Sequence, residues 1–263
     1  MPEGDSYARA AARVGAVLSG QRIERVAGSA AATRRWSARI IEARVTGVRS
    51  RGKRLLITLD TGITISGHLG MNGRVRVGRG MREPGAESLL LQTSQHHVLF
   101  NAARIEAGRS AVIEAGLARL GPDLLDPDFS RTSTRAGSFP GDRTVSELLL
   151  DQRVMAGVGN VFKNEILFLE KVHPATPVGQ LTDLQIDALI DRARRLLVAN
   201  ATRTVRTTTG LPGPGGRNWV YGRAGLPCRR CRQAIVKEMI GHPARVTFWC
   251  PGCQPDPSAG PSA

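Results

Sequence analysis

No apolar run in the 263-residue sequence approaches the about 18 residues that a membrane-spanning helix requires. The N-terminus lacks the basic-then-apolar order of a secretory signal, and no internal repeat is visible. These absences argue against a membrane-spanning, secreted or solenoid protein, and the expected location is the cytoplasm. Cysteine is scarce, with four in all, and acidic residues are outnumbered, 22 Asp and Glu against 37 Lys and Arg. The resulting formal charge of +15 and pI near 11.2 come from Arg spread over the whole length rather than from a basic tail. That distribution predicts a broad face for a polyanion, with nucleic acid as the leading partner. A GC-rich genome, which inflates Arg and Ala without selection for binding, is the alternative. The length suits one large domain or two ordinary ones, and two are expected.

Two textures are separated by residues 129–142, a stretch of Ser, Thr, Gly, Pro and charges that reads as a linker. Before it, Asp5 is placed to cap a helix whose apolar residues Tyr7, Ala11, Val14 and Leu18 recur at helical spacing. Short β-like runs follow at 23–26, 45–48, 55–59, 63–66, 75–77, 89–92 and 98–101. Their Gly and Asn punctuation predicts a small antiparallel sandwich or barrel. After the linker, helices are expected at 145–150 and 161–172, then a long one opened by a capping box of Thr182 and Gln185, its buried side marked by Leu184, Ala188 and Leu196. The run LPGPGG at 211–216 is expected to be a flexible loop and 255–263 a disordered tail.

The strongest local motif is a pair of CxxC knuckles, Cys228 with Cys231 and Cys250 with Cys253, separated by eighteen residues. Four thiolates at this spacing can take the corners of a tetrahedron around one structural zinc ion, leaving no open position for catalysis. Two disulfides are the competing reading, and the missing secretory signal favours zinc. Arg229, Arg230, Arg232, Lys237 and Arg245 surround the motif and suit phosphate contact, although many ribbons only brace a fold. A second motif, QRVMAGVGNVFKNEILF from Gln152 to Phe168, reads as a helix ending at glycines and another beginning near Asn160. Its amides and the Asn160 side chain can cradle a phosphate, or the glycines can simply make a connection. The third is Met1-Pro2-Glu3-Gly4. Removal of Met1 leaves Pro2 with a secondary amine that titrates near ~8, far below lysine, so it is nucleophilic at neutral pH. Such an amine can attack C1′ of a deoxyribose and expel the base, with Glu3 moving the proton. Pro and Glu after Met also occur by chance.

Taken in order, MPEG, Arg51-Gly52-Lys53, His68-Leu69-Gly70-Met71, Leu120-Gly121-Pro122, AGVGN, VYGRAGLPCRRC and TFWCPGCQ make a coincidence specific enough to identify a family. The chain resembles the bacterial formamidopyrimidine-DNA glycosylase and endonuclease VIII family over nearly its whole length. The resemblance implies an α+β protein comprising an N-terminal antiparallel β-sandwich with flanking helices (1–128), the linker (129–142), a helix-two-turn-helix domain (143–222) and a zinc finger (223–254). It implies a bifunctional glycosylase and lyase, acting as a monomer on damaged double-stranded DNA, with one structural Zn2+ and no membrane.

Carried onto matching positions, the resemblance makes Pro2 the Schiff-base nucleophile and Glu3 the general acid or base. Lys53 becomes the lysine that contacts phosphate and assists β-elimination, against a bland reading as a solvated residue at a strand entry. Asn160 matches the phosphate-holding asparagine, and Arg245 the zinc-finger arginine linked to phosphate binding and δ-elimination. Met71, in the loop HLGMNG, matches the residue that fills the gap left by a flipped base, against a reading as an ordinary loop methionine. The segment VLFNAARIE, 98–106, is short and lacks the aromatic that partners this wedge in the formamidopyrimidine branch. With the MPEG start, that points to the endonuclease VIII branch and to oxidised pyrimidines. Many relatives carry a second Glu four residues after the proline; Ser6 stands there, preceded by Asp5, so either Asp5 substitutes for it or base excision is slow while lyase activity on an abasic site persists. Two alternatives stay open: a glycosylase directed at 8-oxoguanine or formamidopyrimidine, and a damaged-DNA-binding protein without catalysis.

Overall fold

The computed structural model describes residues 1–134, 136–211, 213 and 215–256, so the expected tail lies outside it from residue 257 onward. The chain divides into two compact units, Met1–Arg119 and Leu120–Ala263.

The first unit opens with helix α1, Gly4–Leu18, whose predicted apolar face of Tyr7, Ala11, Val14 and Leu18 is buried. Its N-cap is Glu3, not Asp5. Asp5 sits instead in the first turn, where the helix N-terminus favours a carboxylate and where Arg9, one turn on, pairs with it at 3.0 Å. Eight strands follow in two antiparallel four-stranded sheets. One has the order β1 (Arg25–Ala27), β6 (Leu89–Gln92), β7 (His96–Asn101), β5 (Arg74–Arg79), and the other the order β2 (Val45–Arg51), β3 (Arg54–Leu59), β4 (Ile63–His68), β8 (Arg104–Arg109). One core draws on both sheets and on α1: Leu55, Ile57 and Ile65 from one, Leu91, Val98 and Phe100 from the other, Val14 and Leu18 from the helix. This is the expected sandwich.

Three elements were not legible beforehand. Helix α2, Ala31–Ile40, is Arg-rich and buries only Thr33 and Ile40, so its apolar period is too thin to read. Helix α3 is Ser110–Leu117, and β8 begins at Arg104, within the short segment 98–106, and runs past its end. Between β7 and β8 only Ala102 and Ala103 remain, Ala102 at φ 49, so the chain steps from one sheet to the other in two residues.

In the second unit the described residues of the expected linker 129–142 are packed. Phe129, Ala136 and Phe139 join its core. Arg194 lies over the Phe129 ring at 5.0 Å and donates to the carbonyls of Leu124 and Asp126 at 2.9 and 2.8 Å. Arg131 pairs with Asp187 and Asp191 at 3.1 and 3.4 Å. Helix α4, Val145–Leu150, starts at a capping box of Thr144 and Glu147, and α5 is Asn160–Leu169. Helix α6, Asp183–Ala201, has the expected capping box of Thr182 and Gln185. Its fully buried apolar residues are Leu189, Ile190, Ala193 and Leu197; of the expected face, Leu196 packs against the same core half-buried. Leu184 is 81% exposed because the capped first turn projects beyond the core.

The glycine-rich loop after α6 is tied at its base. Thr208 N donates to the Arg217 carbonyl at 2.8 Å, Thr209 Oγ1 to the Gly216 carbonyl at 2.6 Å, and buried Asn200 exchanges two bonds with the Thr207 backbone at 2.8 and 2.9 Å. Pro212 and Pro214 of that loop lie outside the described residues. A hairpin of β9 (Val236–Ile240) and β10 (Arg245–Trp249) closes the fold.

Candidate active site and metal centre

Within the first unit, the predicted residues come from three segments. Pro2 is half-buried immediately ahead of α1, and the Glu3 side chain is fully buried at its N-cap. Lys53 occupies the two-residue turn between β2 and β3, where Arg51 pairs with Arg54; Gly52, at φ +56, supplies the left-handed backbone such a turn needs. Met71 is 66% exposed at the apex of the turn after β4. That turn is closed by Gly73 N donating to the Leu69 carbonyl at 2.7 Å. A Cβ at Gly73 would stand 2.2 Å from the same oxygen, so only glycine fits.

Two residues without a role in the sequence reading join these segments. The Lys53 carbonyl lies 2.9 Å from His68 Nδ1; a carbonyl only accepts, so Nδ1 carries a proton and donates. Tyr7 Oη lies 3.3 Å from the same nitrogen and accepts the Leu69 amide at 2.7 Å, with the Tyr7 and His68 rings stacked at 6.3 Å. Burial pushes the Tyr7 phenol up to about 12, against the pull of the Leu69 amide and Arg54, so the hydroxyl stays neutral at ordinary pH. A signal was present in the sequence: a tyrosine at a core position of a helix needs a partner for its hydroxyl.

Within the second unit, Asn160 is the first residue of α5, with Gly159 as N-cap. Its Nδ2 donates to the Val246 carbonyl at 2.8 Å, tying the helix start to the strand that carries Arg245. One of its two amide hydrogens is therefore committed to that strand. Asn160 Oδ1 is buried with no partner among the described residues. Arg245 is exposed at the start of β10, opposite Ile240. It borders a cavity of about 530 Å³, whose wall includes Arg143, Glu147, Asp151, Arg153 and His242. Glu147 accepts Arg143 Nε at 2.8 Å and the His242 amide at 2.9 Å, which pins the hairpin tip to α4.

The four cysteines meet: their sulfur atoms all lie within 4.8 Å of one another. The Cys228–Cys253 and Cys231–Cys250 pairs are 3.8 and 3.3 Å apart, too long for disulfides, and all four are free thiols. A tetrahedron with metal–sulfur bonds of about 2.3 Å has edges of about 3.8 Å, so the set fits a four-coordinate ion with no vacant ligand position. Burial, reinforced by the facing Cys231 and Cys228 thiols, pushes Cys253 up to about 11, whereas, against the effect of burial, the Cys231 and Arg230 amides pull Cys228 down to about 7.

Residues 1–108 match the model of the formamidopyrimidine-DNA glycosylase N-terminal domain, and residues 120–210 that of the formamidopyrimidine-DNA glycosylase H2TH domain. The DNA-(apurinic or apyrimidinic site) lyase Nei2 of Mycolicibacterium smegmatis is 40% identical over 97% of this chain and 99% of its own length. The chain belongs to the formamidopyrimidine-DNA glycosylase and endonuclease VIII family. Within it the endonuclease VIII side recurs: Endonuclease 8 2 of Mycobacterium tuberculosis is 38% identical over 97% of this chain and all of the relative. The family fold is seen in the Lactococcus lactis Fpg solved with abasic-site DNA, which superposes with a TM-score of 0.84 at 22% identity, covering 97% of this chain and 100% of that one. Pro2, Glu3, Lys53 and Met71 fall in the stretch matched by the family's N-terminal model, and Asn160 in that matched by its H2TH model. Arg245 and the cysteines lie beyond both.

Proposed function

We propose that this protein is a DNA glycosylase and abasic-site lyase of base excision repair that removes oxidised pyrimidines, with the amine of Pro2 as nucleophile. The observation that carries the reading is the Pro2-Glu3 pair at the head of α1, with the Glu3 carboxyl buried, in a chain 40% identical along nearly its full length to a named abasic-site lyase. An unprotonated Pro2 amine attacks C1′ of the extruded nucleotide, and the base leaves with the bonding electrons and a proton supplied through Glu3; the attached amine then gives up its proton, and its lone pair expels O4′, which takes a proton as the sugar ring opens. The resulting iminium acidifies the C2′ hydrogen. Loss of that proton expels the 3′ phosphate, a second elimination expels the 5′ phosphate, and water releases the sugar fragment from Pro2. Lys53 and Arg245 hold the flanking phosphates, Asn160 donates its remaining amide hydrogen to one, and Met71 fills the space the nucleotide leaves. One Zn2+ held by Cys228, Cys231, Cys250 and Cys253 is structural; it fixes the β9–β10 hairpin that presents Arg245.

The oxidised-pyrimidine preference is supported by the two-residue β7–β8 turn, which leaves no room for a longer loop to carry aromatic partners for Met71. We assign a zinc-finger domain from about residue 223, a monomeric state and action on chromosomal DNA in the cytoplasm; among the described residues no helix is long and apolar enough to cross a membrane.

Borohydride trapping of the untagged protein tests the reading on duplexes carrying an oxidised pyrimidine, 8-oxoguanine or an abasic site, with Pro2→Gly alongside. The expected result is a crosslink on the oxidised-pyrimidine and abasic duplexes that disappears in the variant. A crosslink favouring 8-oxoguanine overturns the lesion class, and one that survives Pro2→Gly overturns the nucleophile.

A further inference from the structure

We propose that Tyr7 is a positioning residue whose hydroxyl couples the helix bearing Pro2 to the Met71 turn and sets the reach of Met71 into the duplex. The proposal rests on the reading of Met71 as the residue that replaces the flipped nucleotide.

Three observations carry it. The first is that packing alone does not call for a hydroxyl at position 7. The side chain is fully buried on the core face of α1, in line with Ala11, Val14 and Leu18, where an aliphatic residue would serve. The second is where the oxygen goes. The ladder of β4 with β8 ends at His68 opposite Arg104, and that with β3 ends at Gly67 opposite Leu55. Leu69, 3% exposed, is the first residue past the sheet, and its amide donates to Tyr7 Oη at 2.7 Å. A buried amide leaving a ladder needs an acceptor, and the phenol supplies it. The third is the shortness of the lever. From Leu69 the chain turns and closes again at Gly73, with Met71 at the apex two residues from the anchored amide. The same hydroxyl stands 3.3 Å from His68 Nδ1, which is held by the Lys53 carbonyl. One oxygen thus joins the Pro2 helix to the Met71 turn, while the His68 Nδ1 proton goes to the Lys53 carbonyl.

Tyr7→Phe keeps the ring and removes that oxygen. The test uses full-length, zinc-loaded, untagged protein and two substrates: a duplex with one oxidised pyrimidine and a 2-aminopurine beside it, and a single strand with one abasic site. Only the duplex has a stack for Met71 to enter. Tyr7→Phe is expected to slow single-turnover excision from the duplex about tenfold, the scale of one lost hydrogen bond to a buried amide, and to reduce the 2-aminopurine signal. Borohydride crosslinking to the abasic single strand should stay within about twofold of wild type. Equal losses on both substrates would show that Tyr7 serves the nucleophile or the fold, and an unimpaired duplex reaction would show that it serves neither wedge nor chemistry; each overturns the proposal. Met71→Ala runs in parallel. If it leaves duplex excision intact, the wedge reading itself fails; if it is defective while Tyr7→Phe is not, only the coupling fails. Amide hydrogen exchange in the wild type gives a check independent of any variant: Leu69 should be protected like the sheet, and exchange at the rate of an open loop overturns the assignment.

Discussion

Replacing Glu165 with Ala should strongly destabilise the second unit while leaving the first intact. Glu165 is fully buried on α5 and accepts the amides of Trp219, Val220 and Tyr221 at 2.7, 2.9 and 2.8 Å, together with the Thr208 hydroxyl. Burial pushes the carboxyl above its usual range while these four donors pull it back. Its role is to end three consecutive backbone N–H groups where the chain returns from the glycine-rich loop toward the first cysteine knuckle. Alanine strands all three. At about 1–3 kcal/mol for each buried unsatisfied amide, the cost is about 3–9 kcal/mol, with water entering the vacated space favouring the lower end. Even that is a large part of the roughly 5–15 kcal/mol that stabilises a domain. Glutamine should fall between: its carbonyl can still accept Val220 and Tyr221, the Thr208 hydroxyl can turn to accept, and only the Trp219 amide faces another donor. Denaturant unfolding followed by tryptophan fluorescence suits the question, because Trp219 is itself a partner of Glu165 and Trp249 lies in the same unit. A midpoint for Glu165→Ala within about 1 kcal/mol of wild type, or glutamine costing as much as alanine, would refute the reasoning.

Three further outcomes are expected. Against the opposing effect of burial, Glu147 is held down to about 2 by Arg143 and by the Thr144 and His242 amides, from an ordinary 4.5. A depressed carboxyl stabilises the fold above its unfolded pKa and loses that contribution as pH falls toward the folded value, so thermal scans should show wild type losing its margin over Glu147→Gln below about pH 4.5. Arg245→Gln should weaken DNA binding and reduce the slope of log K against log salt by about 1, as measured by anisotropy titration. Elemental analysis should find one zinc per chain, and Cys231→Ser should release it and raise proteolytic sensitivity in the β9–β10 hairpin without altering the first unit.

What could be read from the residues alone follows from local rules. The capping box of Thr182 and Gln185, the core stripe of α1, the sandwich strands and the two CxxC knuckles each depend on residues a few positions apart, and each stands where periodicity and spacing put it. The failures have an equally local origin. Asp5 fitted the cap, but the helix starts one residue before it, at Gly4; Leu184 fitted the helix period but lies in a turn the core does not reach; the 129–142 segment looked like a linker because its packing depends on Arg194 and on Asp187 and Asp191, more than forty residues away. The candidate site divides the same way. Pro2, Glu3, Lys53, Met71, Asn160 and Arg245 were visible as motif residues. The Tyr7 hydroxyl on the Leu69 amide, the Asn160 amide on the strand of Arg245 and the Glu165 clasp were not. Such bonds join residues 54 to 86 positions apart, set by where tertiary packing leaves a backbone group without a ladder partner, which no spacing along the chain encodes.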